Sequence, residues 1–258
     1  MMSRETGNIN EFKTGRTSDF EMSAIPNPNK SIVRVTGILY LIMIVCGMGA
    51  QIIRSNLIVA GDVMTTISNI SASESLFRVA FVSDLIMATC YLLFAWTLYV
   101  LLKPVNKNVA LLFVLLTTAS VAMLCLNMLN QFAALLLLNS AVYLTAFGTD
   151  QLHALVMFFL DLHYYGYYIA QISFGLWLLP LGYLVIKSGF LPRILGILMI
   201  IATLGHLAGF FTAFFLPVYE SIVDMVAILE VPFGLYLLLI GVKDQGPATE
   251  TEHRTVTS

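Results

Sequence analysis

Ionisable and amide side chains lie within or beside long apolar runs of this sequence, where such groups are uncommon. They are Arg78, Asp84, Asn127, Asp161, His163, Gln171, His206, Asp224 and Glu230. A charged group at membrane depth is costly unless it is paired, protonated or hydrated, and it commonly marks a binding or transport site. We therefore expect these side chains to face the interior of a helix bundle and to form one polar pocket.

Carboxylates, imidazoles and amides in one pocket can bind or pass a small solute, a proton or a lipid head group, and this is the function we expect first. An intramembrane metal-dependent hydrolase or transferase that uses His163, His206 and an acid is the first alternative. No HExxH, HxxxH or GxSxG pattern supports it, so the sequence assigns no metal, cofactor or catalytic residue. An accessory or interaction protein is the second alternative. Hydrogen bonding between helices is the structural explanation for the amides.

Helical spacing groups some of these side chains into stripes. The stripe on the third apolar run contains Thr117, Ser120, Asn127, Asn130 and Gln131. The stripe on the fourth run contains Asp161, Tyr164, Tyr168 and Gln171. His163 is predicted to point elsewhere, because residues two positions apart do not share a helix face.

The composition indicates which elements hold these groups. Hydrophobic residues make up 59% of the chain and charged residues only 11%, and the mean hydropathy is +0.87. Soluble domains carry about 25% charged residues, whereas a helix needs about 20 apolar residues to span a bilayer. Six runs are long enough: 32–53, 76–102, 109–135, 164–187, 192–216 and 220–242. We predict an all-α, polytopic membrane bundle of six transmembrane helices.

The lysines and arginines predict the orientation. With six spans, the outer side holds only Arg54 and Arg78. The other side holds Arg4, Lys13, Arg16, Lys30, Arg34, Lys103, Lys107, Lys187, Arg193, Lys243 and Arg254. Basic loops stay in the cytoplasm, so both termini are predicted to be cytoplasmic. Residues 1–31 and 244–258 are predicted to be disordered cytosolic tails around a membrane domain over 32–243.

The same topology places the polar groups towards the outer side, so the pocket is expected to face outward. Residues 63–70 are predicted to form a short interfacial helix capped by Asp62. The fourth run begins early: either it projects outward with the third as a hairpin, or 150–162 lies along the membrane surface. A charge pair between Arg78 and Asp224 is a further hypothesis. No basic patch suggests nucleic acid, so the expected partners are the bilayer and a small solute or lipid head group.

Several segments, taken together and in order, resemble the multi-pass family catalogued as domain of unknown function 4386. They are Arg34–Gly47, Arg54–Asp62, Glu74–Leu85, Leu98–Lys107, Phe159–Tyr167 and Gly182–Leu198. The resemblance extends over roughly 32–242. It implies a cytoplasmic (cell) membrane location in a bacterium, and it brings no activity, substrate or cofactor.

Overall fold

A computed structural model describes residues 29–216 and 229–239, and all regular structure in these ranges is helical. The helices are α1 (Lys30–Leu57), α2 (Val63–Ala72), α3 (Glu74–Leu102), α4 (Lys107–Asn139), α5 (Ala141–Ala146), α6 (Thr149–Ser188), α7 (Arg193–Phe215) and α8 (Val231–Leu239). Five of them (α1, α3, α4, α6 and α7) are long and apolar enough to cross a membrane. The all-α prediction is therefore confirmed for the described chain. The predicted sixth span, 220–242, lies partly outside the described residues, and α8 is its described part.

Local side-chain chemistry determines where the helices begin and end. The Asn29 side chain caps α1 by accepting a hydrogen bond from the Ser31 amide, and Asn106 caps α4 in the same way. Asp62 caps α2 through the Thr65 amide, and this bond holds the pKa of the Asp62 carboxyl below its ordinary value. The predicted short helix and its cap are thus confirmed. Gly189, with a φ of 74°, ends α6 in the left-handed conformation that glycine adopts without strain.

The long helices form a row in which neighbours along the chain are also neighbours in space. α1 packs against α3, α3 against α4, α4 against α6, and α6 against α7. α8 packs against α1, and Glu230, the residue directly before α8, contacts His206 on α7. We call the end that carries the start of α1 and the turns at 103–106 and 189–192 the basic end. The opposite end carries α2 and α5.

Two apolar cores fill the bundle. The larger core occupies the half next to the basic end and includes Tyr91, Phe94, Leu98, Phe113, Trp177, Leu181, Leu184 and Phe190. The smaller core lies at the opposite end and includes Ile67, Ile70, Phe77, Ala134, Leu135, Leu152, Val156 and Leu160. The half next to the basic end is therefore closed by apolar side chains, and polar groups can gather only farther along the bundle.

α6 is one continuous helix of 40 residues. At 1.5 Å per residue it is about 60 Å long, roughly twice the thickness of a bilayer core. Its first turns pack against α4 and α2 through Leu152, Val156 and Leu160. Residues 150–162 therefore continue the helix alongside α4, which agrees with the hairpin and not with a separate segment lying along the surface.

Glycines allow the closest helix contacts. A Cβ atom added to Gly182 on α6 would lie 2.7 Å from the Gly196 carbonyl oxygen on α7, and one added to Gly196 would lie 2.6 Å from the Gly182 oxygen. At Gly37 on α1, an added Cβ would lie 2.7 Å from the backbone nitrogen of Leu238 on α8. Small residues permit such backbone contact between membrane helices, and a methyl group would separate the two helices.

Replacing Gly196 by alanine is expected to destabilise the bundle, because the new methyl group overlaps a backbone atom that cannot rotate away. Overpacking of this kind costs about 1–3 kcal/mol. Gly49→Ala is the matched control, since a Cβ atom there meets nothing within 4 Å. Thermal unfolding in detergent should show a lower Tm for Gly196→Ala and little loss for Gly49→Ala. Equal shifts in the two variants would contradict the close contact.

Candidate polar site

A cavity of about 90 Å³ lies among α1, α3, α4 and α6. Its polar lining consists of Gln51, Arg54, Asp84, Asn127 and His163. Its other lining residues are Gly47, Met87, Leu124, Met128, Tyr167, Ala170 and Phe174. We call it the four-helix cavity. A space of this size, with several polar groups on its wall, can hold a few water molecules or a small polar ligand.

A buried ion pair forms one wall of the cavity. Nη1 of Arg54 donates a hydrogen bond to Oδ2 of Asp84, and the two side chains are only 11% and 3% exposed. The same guanidinium contacts Oε1 of Gln131 at 3.4 Å and Oε1 of Gln51 at 3.2 Å. Gln131 in turn donates to the Phe77 carbonyl at 3.5 Å. The pair joins α1 to α3, and its two charges cancel inside the bundle.

A reciprocal contact between α4 and α6 forms the facing wall. The Asn127 side-chain amide donates to the His163 carbonyl at 2.8 Å, and Nδ1 of His163 lies 3.3 Å from the Asn127 carbonyl oxygen. A carbonyl only accepts, so Nδ1 carries a proton in this contact, and in a neutral ring Nε2 then has a free lone pair. Nε2 has no protein partner within the described ranges. Gly166 makes room for Asn127, because an added Cβ would lie 2.1 Å from Oδ1 of that side chain.

A second polar cluster lies between α6, α7 and the start of α8, and we call it the His206 cluster. Nε2 of His206 is 2.6 Å from Oε1 of Glu230, and Nδ1 contacts Oε1 of Gln171. The His206 and Glu230 side chains are 12% and 14% exposed. Tyr40 on α1 donates its hydroxyl to the Glu230 carbonyl at 3.2 Å. Phe174 lines the four-helix cavity and also packs against the His206 ring, so it lies between the two clusters.

The structure distributes the predicted pocket residues over several places. Asp84, Asn127 and His163 line the four-helix cavity. Gln171, His206 and Glu230 form the His206 cluster. The expected single pocket is therefore divided into two clusters. Each cluster joins one set of adjacent helices, since a side chain can reach only the helices next to its own.

Arg78 and Asp161 belong to neither cluster. Arg78 pairs with Glu74 on its own helix at 2.6 Å, and its side chain is 52% exposed. It is six residues from Asp84, which places it on a different face of α3. Asp161 is exposed. Asp224 lies outside the described residues, so its pairing with Arg78 stays a prediction.

The stripe predicted on α4 faces inward, with Thr117, Ser120 and Gln131 fully buried. The two hydroxyls donate to carbonyls of their own helix, so they do not join neighbouring helices. The stripe predicted on α6 is divided: Tyr168 and Gln171 are buried, and Asp161 and Tyr164 are exposed.

The position at which α7 ends explains why Asp161 is exposed. Phe214, the second-last residue of α7, contacts Tyr165 with ring centroids 5.7 Å apart. Asp161 lies one turn nearer the start of α6 than Tyr165, beyond the level of that contact.

Arg54 is the site residue that sequence reasoning missed. The hydrophobic run predicted the end of the first span at residue 53, which left Arg54 in a loop. α1 instead continues to Leu57, so Arg54 is a helical residue with its side chain among the helices. The signal was its spacing: Gln51 and Arg54 are three residues apart and share a polar helix face.

The metal-dependent alternative finds no ligand set in the described ranges. Within 29–216 and 229–239, no group of three His, Cys, Asp or Glu side chains is placed to hold a metal ion. The Asp84 carboxylate is engaged by a guanidinium.

Comparisons with known proteins give a family and one distant relative. The family described as "Domain of unknown function (DUF4386)" matches residues 35–241. An "Uncharacterized protein" from Archaeoglobus fulgidus is 34% identical over 115 residues, which are 44% of this chain and 54% of that protein. The chain thus spans about half the length of this curated relative. No solved structure matches the chain.

Removing either partner of the buried ion pair should destabilise the protein, because an unpaired charge remains in an apolar interior. Losing one partner of such a pair costs about 3–5 kcal/mol, whereas replacing both by apolar residues is often neutral. We expect Arg54→Leu and Asp84→Leu each to lower the Tm and the yield of folded protein. The Arg54→Leu/Asp84→Leu double variant should recover most of the loss.

Arg78→Leu and Glu74→Leu are the matched controls for this cycle, because that pair is exposed and lies on one helix. Exposed pairs contribute about 1 kcal/mol or less. A double variant at Arg54 and Asp84 that is no better than the worse single variant would show that the two charges do not compensate each other.

Proposed function

Because the chain belongs to the DUF4386 family, which brings no assigned function, we propose its function from the site: it binds a small, net-neutral, hydrogen-bonding solute in the four-helix cavity. The observation that carries the proposal is the buried Arg54–Asp84 pair on the wall of a cavity that also contains His163. The lipid bilayer around the apolar helices is the environment in which this binding takes place.

The charge balance of the cavity favours a net-neutral solute. The guanidinium and the carboxylate neutralise each other, and a neutral His163 ring with its proton on Nδ1 satisfies the reciprocal contact. An ion entering this space would leave its own charge uncompensated in an apolar interior, which is costly. A neutral or zwitterionic molecule avoids that cost.

The free hydrogen-bonding atoms favour a molecule that both donates and accepts. A guanidinium has five N–H groups, and the described contacts of Arg54 use only some of them. Nε2 of His163 and Oδ1 of Asp84 remain as acceptors in the described structure. The cavity of about 90 Å³ is small beside drug-sized ligand pockets of about 300–1,000 Å³, so the solute has only a few heavy atoms.

We also propose six spans with both termini in the cytoplasm of a bacterial cell, with the cavity in the outer half of the cell membrane. The distribution of lysines and arginines supports this orientation. α8 lies beside α1, and Glu230 contacts His206 on α7. Both contacts support a sixth span that closes the row of helices into a ring. The relative from Archaeoglobus fulgidus is archaeal, so a protein similar to part of this chain also occurs outside bacteria.

The solute class can be tested by thermal unfolding of the full chain in detergent with acetamide, glycine, sodium acetate and methylammonium chloride. Acetamide or glycine should raise the Tm of the wild type more than that of His163→Phe, which fills the cavity and removes its acceptor. A ligand at ten times its Kd stabilises by about 1.4 kcal/mol.

Tyr165→Phe is the control for this experiment, because Tyr165 does not line the cavity. The comparison between variants separates binding from the general effect of cosolvents. Stabilisation by acetate or methylammonium alone would contradict a net-neutral solute. Identical responses of the wild type and His163→Phe to all four compounds would contradict binding in this cavity.

The orientation can be tested by thiol labelling in intact cells. With Cys46, Cys90 and Cys125 replaced by serine, a single cysteine is introduced at Thr145 or at Lys107, both exposed and at opposite ends of the bundle. A membrane-impermeant maleimide should label Thr145→Cys in intact cells and Lys107→Cys only after lysis. The reverse pattern would place the termini outside.

A further inference from the structure

Both ring nitrogens of His206 face oxygen atoms. Nε2 lies 2.6 Å from the Glu230 carboxylate, and Nδ1 contacts the Gln171 amide oxygen. A neutral imidazole has only one N–H group, so a neutral ring beside an ionised carboxylate cannot donate to both oxygens. The observed contacts therefore require an additional proton or a different orientation of the Gln171 amide.

Three protonation patterns satisfy every contact. In the first, His206 carries two ring protons and Glu230 is ionised. In the second, Nδ1 of His206 carries a proton and the Glu230 carboxylic acid donates to Nε2. In the third, only Nε2 is protonated, and Gln171 turns its amide so that its N–H donates to Nδ1. The first two patterns have no net charge, whereas the third leaves one negative charge in the cluster.

The surroundings favour the two neutral patterns. His206 and Glu230 are largely buried, and the ring of Phe174 packs against the imidazole. Within the part of the chain that the structure describes, the titratable groups that face Glu230 from neighbouring helices are the phenols of Tyr40 on α1 and Tyr91 on α3. A phenol is neutral near pH 7 and does not compensate a carboxylate charge. An unbalanced negative charge in this interior is costly.

We propose that His206 and Glu230 form a proton-binding site, which holds one exchangeable proton beyond the proton of a neutral imidazole. This site is separate from the four-helix cavity, and the inference does not depend on the solute proposed above. On release, the Nδ1–H bond breaks and that proton passes to water. The proton that remains lies on Nε2 and is donated to the ionised Glu230 carboxylate; from the second pattern it reaches Nε2 by transfer from the Glu230 carboxylic acid. Gln171 then donates its amide N–H to the vacated Nδ1.

Exchange of this proton would act on a cluster to which four helices contribute. Gln171 belongs to α6 and His206 to α7, and Glu230 directly precedes α8. Tyr40 connects α1 to the same point through the Glu230 carbonyl. Adding or removing one proton therefore changes the hydrogen bonds that fix the start of α8 against its neighbours.

The test is nitrogen NMR of the full chain, labelled with ¹⁵N in its histidine rings and reconstituted in lipid nanodiscs, over a range of pH. The chain has four histidines, and the His206 signals are those lost in His206→Asn. We expect one of two results near pH 7: both nitrogens protonated, or Nδ1 protonated together with an infrared carboxylic acid band that Glu230→Gln removes. Raising the pH should then remove one proton from Nδ1.

In Glu230→Gln, the cluster should hold one proton fewer near pH 7, because no carboxylate remains there to balance or to carry it. Asp161→Asn is the control, because this exposed carboxylate lies outside the cluster, and it should leave the step in place. A wild-type ring protonated only at Nε2 near pH 7, without a carboxylic acid band, would overturn the proposal. A Glu230→Gln variant whose His206 ring still carries two protons near pH 7 would overturn it too. If Glu230→Gln does not fold, the wild-type spectra alone decide between the neutral and the charged patterns.

Discussion

The structure depends on one constraint: a charge placed inside an apolar helix bundle must meet its partner on a neighbouring helix. Arg54 on α1 meets Asp84 on α3, and His206 on α7 meets Glu230 before α8. The amide of Asn127 satisfies a carbonyl of α6 in the same way. An unpaired charge in this interior costs several kcal/mol, a large part of a domain's total stability, so each pair disfavours arrangements in which its two helices are apart or rotated away from each other. The apolar side chains then fill the space that this arrangement leaves.

Hydrophobic length predicted the helices because each span needs enough apolar residues to cross a bilayer. The observed helices α1, α3, α4 and α6 contain the predicted runs, and α7 matches its run to within one residue at each end. The Asp62 cap could also be predicted from the sequence, since capping depends on residues only three positions apart. The side-chain contacts between helices across the bundle could not be predicted in this way. Whether Asp84 meets Arg54 or His163 depends on the rotation of α3 about its own axis, and no local pattern contains that angle. Arg54 was missed because hydrophobicity alone ended its helix too early.

The division of the polar residues into two clusters has a simple structural origin. α6 takes part in both clusters, with His163 turned to α4 and Gln171, eight residues later, turned to α7. Phe174 lies between the clusters and contacts each of them. The half of the bundle next to the basic end contains the large aromatic core. A solute or proton that reached either cluster would therefore meet an apolar barrier on the side of the basic end.

The contact between Gly182 and Gly196 has a mechanical consequence. Backbone meets backbone where Gly182 and Gly196 face each other, and Ile186 and Ile200 pack closely beside the two glycines, so a rotation of α6 against α7 would have its fulcrum at this point. Gln171 lies eleven residues from Gly182, which is a lever arm of about 16 Å along the helix. A rotation of about 5° at the fulcrum would move Gln171 by about 1.4 Å, and a displacement of that size is enough to break a hydrogen bond. A small angular change at the glycine pair near the basic end would therefore displace the polar clusters more than it displaces the residues beside the glycines.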